Sequence, residues 1–295
     1  MRISEILSKD RVTLSFEVFP PKTTDRYESV AAAAEHIAAF APDFMSVTYG
    51  AGGGTSQFTA DIAAGIQEKY GVPVLAHLTC VSSDRAKVRE TIELYKEKGI
   101  ENILGLRGDL PKDGKLSTDY RYACELIAEI KSMGDFCVGG ACYPEGHPES
   151  AHKKEDIMHL REKVDAGCEF LTTQMFFDNN VFYNFLYHVR EAGITVPIIP
   201  GIMPITNAKQ LGRSVALSGT GVPASFKAIV DRFGQTPDAM MQAGVNYAAH
   251  QIIDLIANGI RYIHIYTMNK PEVALAIKLA VSKMLEIPNE GKEIW

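Results

Sequence analysis

The chain has 295 residues, 46% of them apolar and 22% charged, which is material for a full core and the balance of an ordinary globular protein. Thirty basic and 36 acidic side chains leave a net charge of −6, with no basic footprint for nucleic acid or an anionic membrane surface. No apolar run approaches the roughly 20 residues of a membrane span, the N-terminal stretch lacks an apolar signal core, and five cysteines without a CxxC pair are expected to be reduced, in a cytoplasmic setting.

Short apolar, β-branched runs alternate with longer stretches of helical period along the chain. Strands are expected at 13–18, 44–48, 74–79, 102–106, 137–141, 170–174, 196–200 and 262–266. Helices are expected at 25–40, 57–70, 84–98, 119–133, 151–166, 180–192, 207–217, 223–258 and 271–285, and glycines such as Gly71, Gly99 and Gly259 punctuate their ends. Eight strands, each a continuous apolar run and each followed by a helix, predict a single-domain (β/α)8 TIM barrel over 1–295, with an extra helical excursion near 219–245. A doubly wound open sheet is the rival, but Phe19-Pro20-Pro21 after the first strand cannot form its glycine-rich nucleotide turn.

In such barrels the chemistry collects where strands end and βα loops begin. Those ends carry Glu17, Thr48, His77, Arg107-Gly108-Asp109, Tyr143, His147 and Gln174, a polar group on most staves of one rim. Glu17 lies inside an apolar strand. Burial raises a carboxyl pKa and would make it a general acid, while the alternative is a structural ion pair. Arg107-Gly108-Asp109 reads either as a phosphate contact or as a salt-bridged turn. The glycine-rich loop 50–55 is rich in backbone donors but matches neither phosphate-loop nor dinucleotide patterns. Cys142, His147, His152 and His159 are too loosely spaced for a zinc site, so no metal is expected. Met175-Phe176-Phe177 and Phe182-Tyr183 read as packing residues.

Nine segments in order carry a family signature: SFEVFPPK (15–22), SVTYGA (46–51), HLTC (77–80), LRGDLP (106–111), YPEGHPE (143–149), KVDAG (163–167), TQMFFD (173–178), IPGIMPI (199–205) and YTMN (266–269). In these the chain resembles the methylenetetrahydrofolate reductases, bacterial type, catalytic domain only. The resemblance implies noncovalent FAD in the barrel and reduction of 5,10-methylenetetrahydrofolate to 5-methyltetrahydrofolate, within one-carbon metabolism and methionine biosynthesis. NADH or NADPH is implied as donor, each ligand using one face of the flavin in turn. Position by position, the resemblance makes Glu17 the general acid and Asp109 the charge beside flavin and pterin. It makes Gln174, Gln210 and Lys270 substrate contacts, alongside Glu17 and Asp109. Flavin contacts are implied at Thr48, Ala51, His77, Arg107, Gly108, Asp109, Ala123, Tyr143, His147, Asp156 and Lys163.

Three positions depart from the pattern. Lys270 stands where some members have arginine, Glu162 where some have a basic phosphate contact, and Ser214 where an aromatic often stacks. The last leaves the donor open between a nicotinamide and a partner protein. A homo-oligomer is expected, and the S-adenosylmethionine-sensing domain of eukaryotic relatives is not. The competing readings are a flavin barrel acting on another substrate, proline-dehydrogenase-like, and an idle barrel subunit of a larger complex.

Overall fold

The computed structural model describes residues 1–50, 56–110 and 116–287. A parallel sheet runs β1 (Thr13–Val18), β2 (Phe44–Val47), β3 (Val74–Thr79), β4 (Asn102–Leu106), β5 (Cys137–Cys142), β6 (Phe170–Thr173), β7 (Ile198–Ile199), β8 (Gly201–Ile202) and β9 (Tyr262–Tyr266). Each strand pairs with its sequence neighbour as far as β7, while β1 also pairs with β9 and β9 with β8. The expected single strand at 196–200 is therefore two pieces. Proline has no N–H to donate and interrupts the ladder at Pro200. Strands β7 and β8 are the halves of one stave, and through it the sheet closes into the predicted eight-stave barrel.

Alternation divides each strand between two environments. Leu14, Phe16 and Val18 of β1, with Met45, Val47, Val74, Ala76 and Leu78, face outward into the main core against the helices. Phe44, Leu75, Leu104, Cys137, Phe170 and Ile199 face inward and fill the lower barrel. The same cluster takes up Ile3, Ile6 and Leu7 of α1 (Ile3–Leu7), a helix the periodicity does not announce. Five residues are too few for an independently stable helix. Burial holds this one, together with a hydrogen bond from Ile3 N to Asn102 Oδ1 (2.8 Å) and ion pairs from Arg2 to Asp135 and Glu169. The base of the barrel is thereby plugged.

The outer helices are α2 (Tyr27–Ala38), α3 (Ser56–Tyr70), α4 (Arg85–Glu97), α5 (Ala123–Met133), α6 (Lys153–Asp165), α7 (Asn179–Glu191), α8 (Ala208–Ser218) and α11 (Pro271–Leu285). The region expected as one helix at 223–258 is α9 (Ala224–Phe233) and α10 (Pro237–Ala257), parted where Pro237 opens the second helix. The excursion does not project from the barrel. Phe226 and Met240 pack with Met175, Phe177, Met203 and Ile205 in an apolar cluster beside the loops that follow β6 and β8. Gly244 permits this: a Cβ there would lie 1.8 Å from the Ile205 carbonyl oxygen. Met175, Phe176, Phe177 and Phe182 are all buried, as the packing reading has it. No helix among the described residues is long and apolar enough to cross a membrane.

Candidate active site

Above the apolar lower layer, the inward positions of β1, β2, β3 and β9 turn polar. Parallel register sets Ser15 opposite His264 and Glu17 opposite Ser46 and Tyr266. One carboxylate oxygen of Glu17, Oε2, accepts a hydrogen bond from Ser46 Oγ (3.2 Å). The same oxygen lies 3.6 Å from His77 Nε2 and 3.7 Å from His264 Nε2. His264 Nδ1 meets Ser15 Oγ at 2.8 Å, and its Nε2 meets Ser46 Oγ at 3.3 Å. Both imidazoles are buried, whereas the Glu17 side chain keeps 18% of its surface exposed and is the member of the group open to the barrel mouth.

The expectation that burial leaves Glu17 with a raised pKa is corrected here. Burial is the largest single influence and does push it up. The hydrogen bond with His264, the charges of His77 and His264 and the Ser46 hydroxyl together outweigh it, so Glu17 ends below its ordinary value. The cost of desolvation falls on the imidazole instead. Burial drives His77 down to about 4, against the pull of Glu17. Its Nε2 has no hydrogen-bond partner among the described residues.

A second group lines the rim after β4 and β5. Arg107 makes a bidentate pair with Glu149 (2.5 and 2.8 Å), which raises its pKa, so the partner of this cation is Glu149 rather than Asp109. Gly108, at φ +92°, turns the chain against Thr79 and Val81. Asp109 follows, exposed, and its charge reaches Arg107 and Tyr143. The Tyr143 ring sits edge-on to His147 at 4.6 Å, and burial lifts its pKa to about 12. Lys163 Nζ donates to the Ala141 carbonyl (2.7 Å), and burial lowers its pKa. Asp156 accepts from His147 N, and burial raises its pKa against the charge of Lys163. A cleft of about 340 Å³ opens beside this wall between Glu145, His147, His152, Lys153 and Ser218.

The third group joins the ends of β8 and β9. Lys270 Nζ donates to Thr206 Oγ1 (2.8 Å), and Thr206 donates through N and Oγ1 to Gln210 Oε1. Gln174 Oε1 accepts from Met175 N. Tyr266 crosses the mouth to donate to the Thr173 carbonyl (2.5 Å). Ser214 is buried with its hydroxyl against Met203 Sδ, and Glu162 pairs with His159.

Two expected contacts stand apart from these groups. Ala123 is buried at the first position of α5, and Thr48 enters through its backbone, with Thr59 Oγ1 on its carbonyl. Ala51 and the rest of the loop 51–55 lie outside the described residues. The histidines of the loose cluster are committed elsewhere: His152 caps α6, His147 Nδ1 accepts from Glu149 N, and Cys142 is buried in β5. Sequence reasoning missed His264, Ser46 and Ser15. Their signal was the inward parity of polar residues in otherwise apolar strands, Ser15 with Glu17 and His264 between Tyr262 and Tyr266.

Comparison with known proteins bears on the same residues. The 5,10-methylenetetrahydrofolate reductase of Pectobacterium carotovorum subsp. carotovorum is 36% identical over 267 residues, covering 90% of this chain and 89% of its own. That of Escherichia coli (strain K12) is 34% identical over 268 residues, 90% of each chain. Methylenetetrahydrofolate reductase (NADH) 1 of Zea mays is 34% identical over 94% of this chain, which spans 49% of that longer protein. Among solved structures, an uncharacterized protein from Clostridium thermocellum described as binding two copies of 5-methyl-5,6,7,8-tetrahydrofolic acid superposes with a TM-score of 0.64. It is 16% identical, covers 97% of this chain and 100% of its own, and speaks for the fold alone. The family model for methylenetetrahydrofolate reductase matches residues 2–281. From end to end of the barrel, the chain belongs to the methylenetetrahydrofolate reductase family.

Proposed function

We propose that this chain reduces 5,10-methylenetetrahydrofolate to 5-methyltetrahydrofolate with noncovalent FAD, taking its reducing equivalents from NADH or NADPH. Family membership supports the folate reaction, and the NADH-named relatives support a nicotinamide donor. The observation that carries the mechanism is Glu17. Among the described residues it is the one carboxyl held among buried imidazoles and hydroxyls on inward strand positions, with part of its surface open to the mouth.

The residues present fit a flavin dinucleotide. Arg107 and Lys163 are two cations on one wall, suited to a diphosphate. Arg107, now paired with Glu149, would give up that partner to hold the phosphate. Tyr143 and His147 supply an aromatic wall, and the orphaned ring nitrogen of His77 is a buried polar atom of the kind that a ligand completes. Bound there, FAD would supply the redox chemistry that links the nicotinamide to the folate. The protein's share is the proton. Glu17 donates it to the ring nitrogen that must leave for the five-membered ring of the folate to open. Asp109, exposed at the rim, favours the cation so formed. Gln174 and Gln210 orient the pterin and the nicotinamide in turn, and Lys270 offers the folate carboxylate a point charge rather than a fork.

Purified protein reconstituted with FAD is expected to bleach on anaerobic addition of NADH or NADPH and to recover its colour with methylenetetrahydrofolate. Glu17→Gln keeps the bleaching step and slows the recovery by about two to four orders of magnitude, the usual range for a general acid. Equal slowing of both steps in stopped-flow traces would assign Glu17 a structural role instead.

A further inference from the structure

We infer that Phe19 and Met268 form the apolar seat of the folate's aminobenzoyl ring, fixed between Glu17 and Lys270 by the side chain of Asn269. The inference rests on the functional reading above and deepens it, naming what holds the middle of the substrate.

The chemistry of the substrate sets the requirement. The nitrogen that Glu17 protonates is bonded directly to the aminobenzoyl ring. That ring leads on through its carbonyl to the glutamate carboxylates, for which Lys270 supplies the charge. A flat apolar group must therefore lie between Glu17 and Lys270, one bond from the atom that receives the proton. Ser214, buried against Met203, offers it no ring from α8.

Each of the two charged residues has an exposed apolar residue two positions away. Phe19 follows Glu17 and Met268 precedes Lys270, and they keep 38% and 39% of their surface exposed. Such exposure is ordinary for a single side chain. What sets these two apart is how firmly their backbone is held. Phe19 precedes Pro20, which keeps it extended, so strand parity carries past Val18 and sets Phe19 on the side of Ser15 and Glu17. Asn269 grips the Phe19 backbone twice: its Oδ1 accepts from Phe19 N and its Nδ2 donates to Phe19 O, each at 2.9 Å. Thr267 Oγ1 donates to the carbonyl of Glu17 itself (2.6 Å). The turn after β9 is thus fastened to the end of β1 on both sides of Val18.

That turn is strained. Met268 and Asn269 are successive non-glycine residues in the left-handed region, both at φ +55°. Asparagine tolerates this conformation, whereas methionine adopts it only against steric resistance. Strain of this kind persists where surrounding bonds over-determine the backbone, as those from Thr267 and Asn269 do. Glycine at 268 would relieve it but would leave no side chain beside the proton donor. Asn269 acts through its two neighbours and is a positioning residue.

Ligand binding to FAD-reconstituted protein, reduced so that no turnover occurs, tests the seat. The probes are 5-methyltetrahydrofolate and the same methylated tetrahydropterin without its aminobenzoylglutamate, titrated anaerobically by calorimetry. Phe19→Leu and Met268→Ala are each expected to weaken the folate about two- to twelvefold, the range of one aromatic or thioether contact, and to leave the truncated pterin unchanged. Asn269→Ala is expected to lower the same preference for the folate, and Phe19→Tyr, which keeps the ring, to preserve it. Equal weakening of both ligands in Phe19→Leu overturns the inference, as does a folate affinity indifferent to Phe19 and Met268. Met268→Gly is expected to unfold at higher urea than Met268→Ala while binding the folate no better. An equal or lower midpoint overturns the strained seat. Unsubstituted protein that binds neither probe brings down the functional reading together with the inference, whereas folate binding that ignores both side chains overturns the inference alone.

Discussion

Glu17 and Asp109 are both carboxyls of the same rim, yet their surroundings differ. Glu17 has three polar neighbours on inward strand positions, Ser46, His77 and His264, so its charge is set by partners fixed in the sheet. Asp109 is exposed beyond β4, and its field acts on whatever lies beside Tyr143 and Arg107. If that neighbour is the flavin, removing the anion eases the accumulation of electrons on the ring. Asp109→Asn is therefore expected to raise the flavin midpoint potential while leaving bound FAD in place. A redox titration with reference dyes measures it, and an unchanged potential would set Asp109 away from the ring. Glu162 and Ser214 show how departures from a family pattern are absorbed locally, one by a hydrogen bond with His159 and the other by a buried contact with Met203.

At the scale of elements, the broken stave β7–β8 decides the shape of the mouth. Pro200 interrupts the ladder, and Gly201 N turns to Thr173 Oγ1 (2.9 Å) instead. The absent side chain at Gly201 is what lets Tyr266 reach across: a Cβ there would lie 2.5 Å from the Tyr266 hydroxyl and 2.6 Å from the Thr173 carbonyl oxygen. Gly201→Ala is expected to cost about 1–3 kcal/mol through overpacking. Adding Tyr266→Phe should recover part of that, because one of the three obstructing atoms is removed and the ring, no longer tied to the Thr173 carbonyl, can shift its Cε2 away. Urea unfolding of the two single variants and the double variant measures the coupling, and strictly additive effects would mean that Tyr266 does not occupy this position. The α9–α10 excursion is tied to the same region by Thr220 Oγ1 on the Met175 carbonyl and by Gly221 N on the Glu145 carboxylate. An element that looked like an irregularity thus borders the site.

The whole fold carries the electrostatic cost of its polar centre. In the native state His77 and Glu17 both have pKa values below their ordinary ones, so in acid the unfolded chain binds more protons than the folded one. Stability is then full above about pH 6.5 and is lost as pH falls, first through the range of His77 between about 6.5 and 4 and below that through Glu17. Asp156, raised by burial, works in the opposite sense. The share of His77 alone amounts to about 2 kcal/mol between pH 7 and 5. His77→Gln should flatten the pH dependence of the urea midpoint over that interval, and an unchanged slope would mean that His77 is not held neutral.

The eight-stave β/α alternation, the parallel barrel and the end of it that bears the polar residues were legible without coordinates, because burial on both faces and the β/α alternation are properties of local order along the chain. Glu17 and Arg107 were legible for the same reason, each being a charge where an apolar run ends or passes, whereas Lys163 was implied by the family resemblance alone. What local order does not contain is which residue stands beside which. Ser15 meets His264 across 249 positions of sequence, and Ser46 meets it across 218. Only barrel closure and strand register bring them to Glu17. The lowered pKa of that carboxyl, the Glu149 partner of Arg107, the α1 plug and the break at Pro200 were all decided there, since each depends on neighbours supplied by a distant part of the chain.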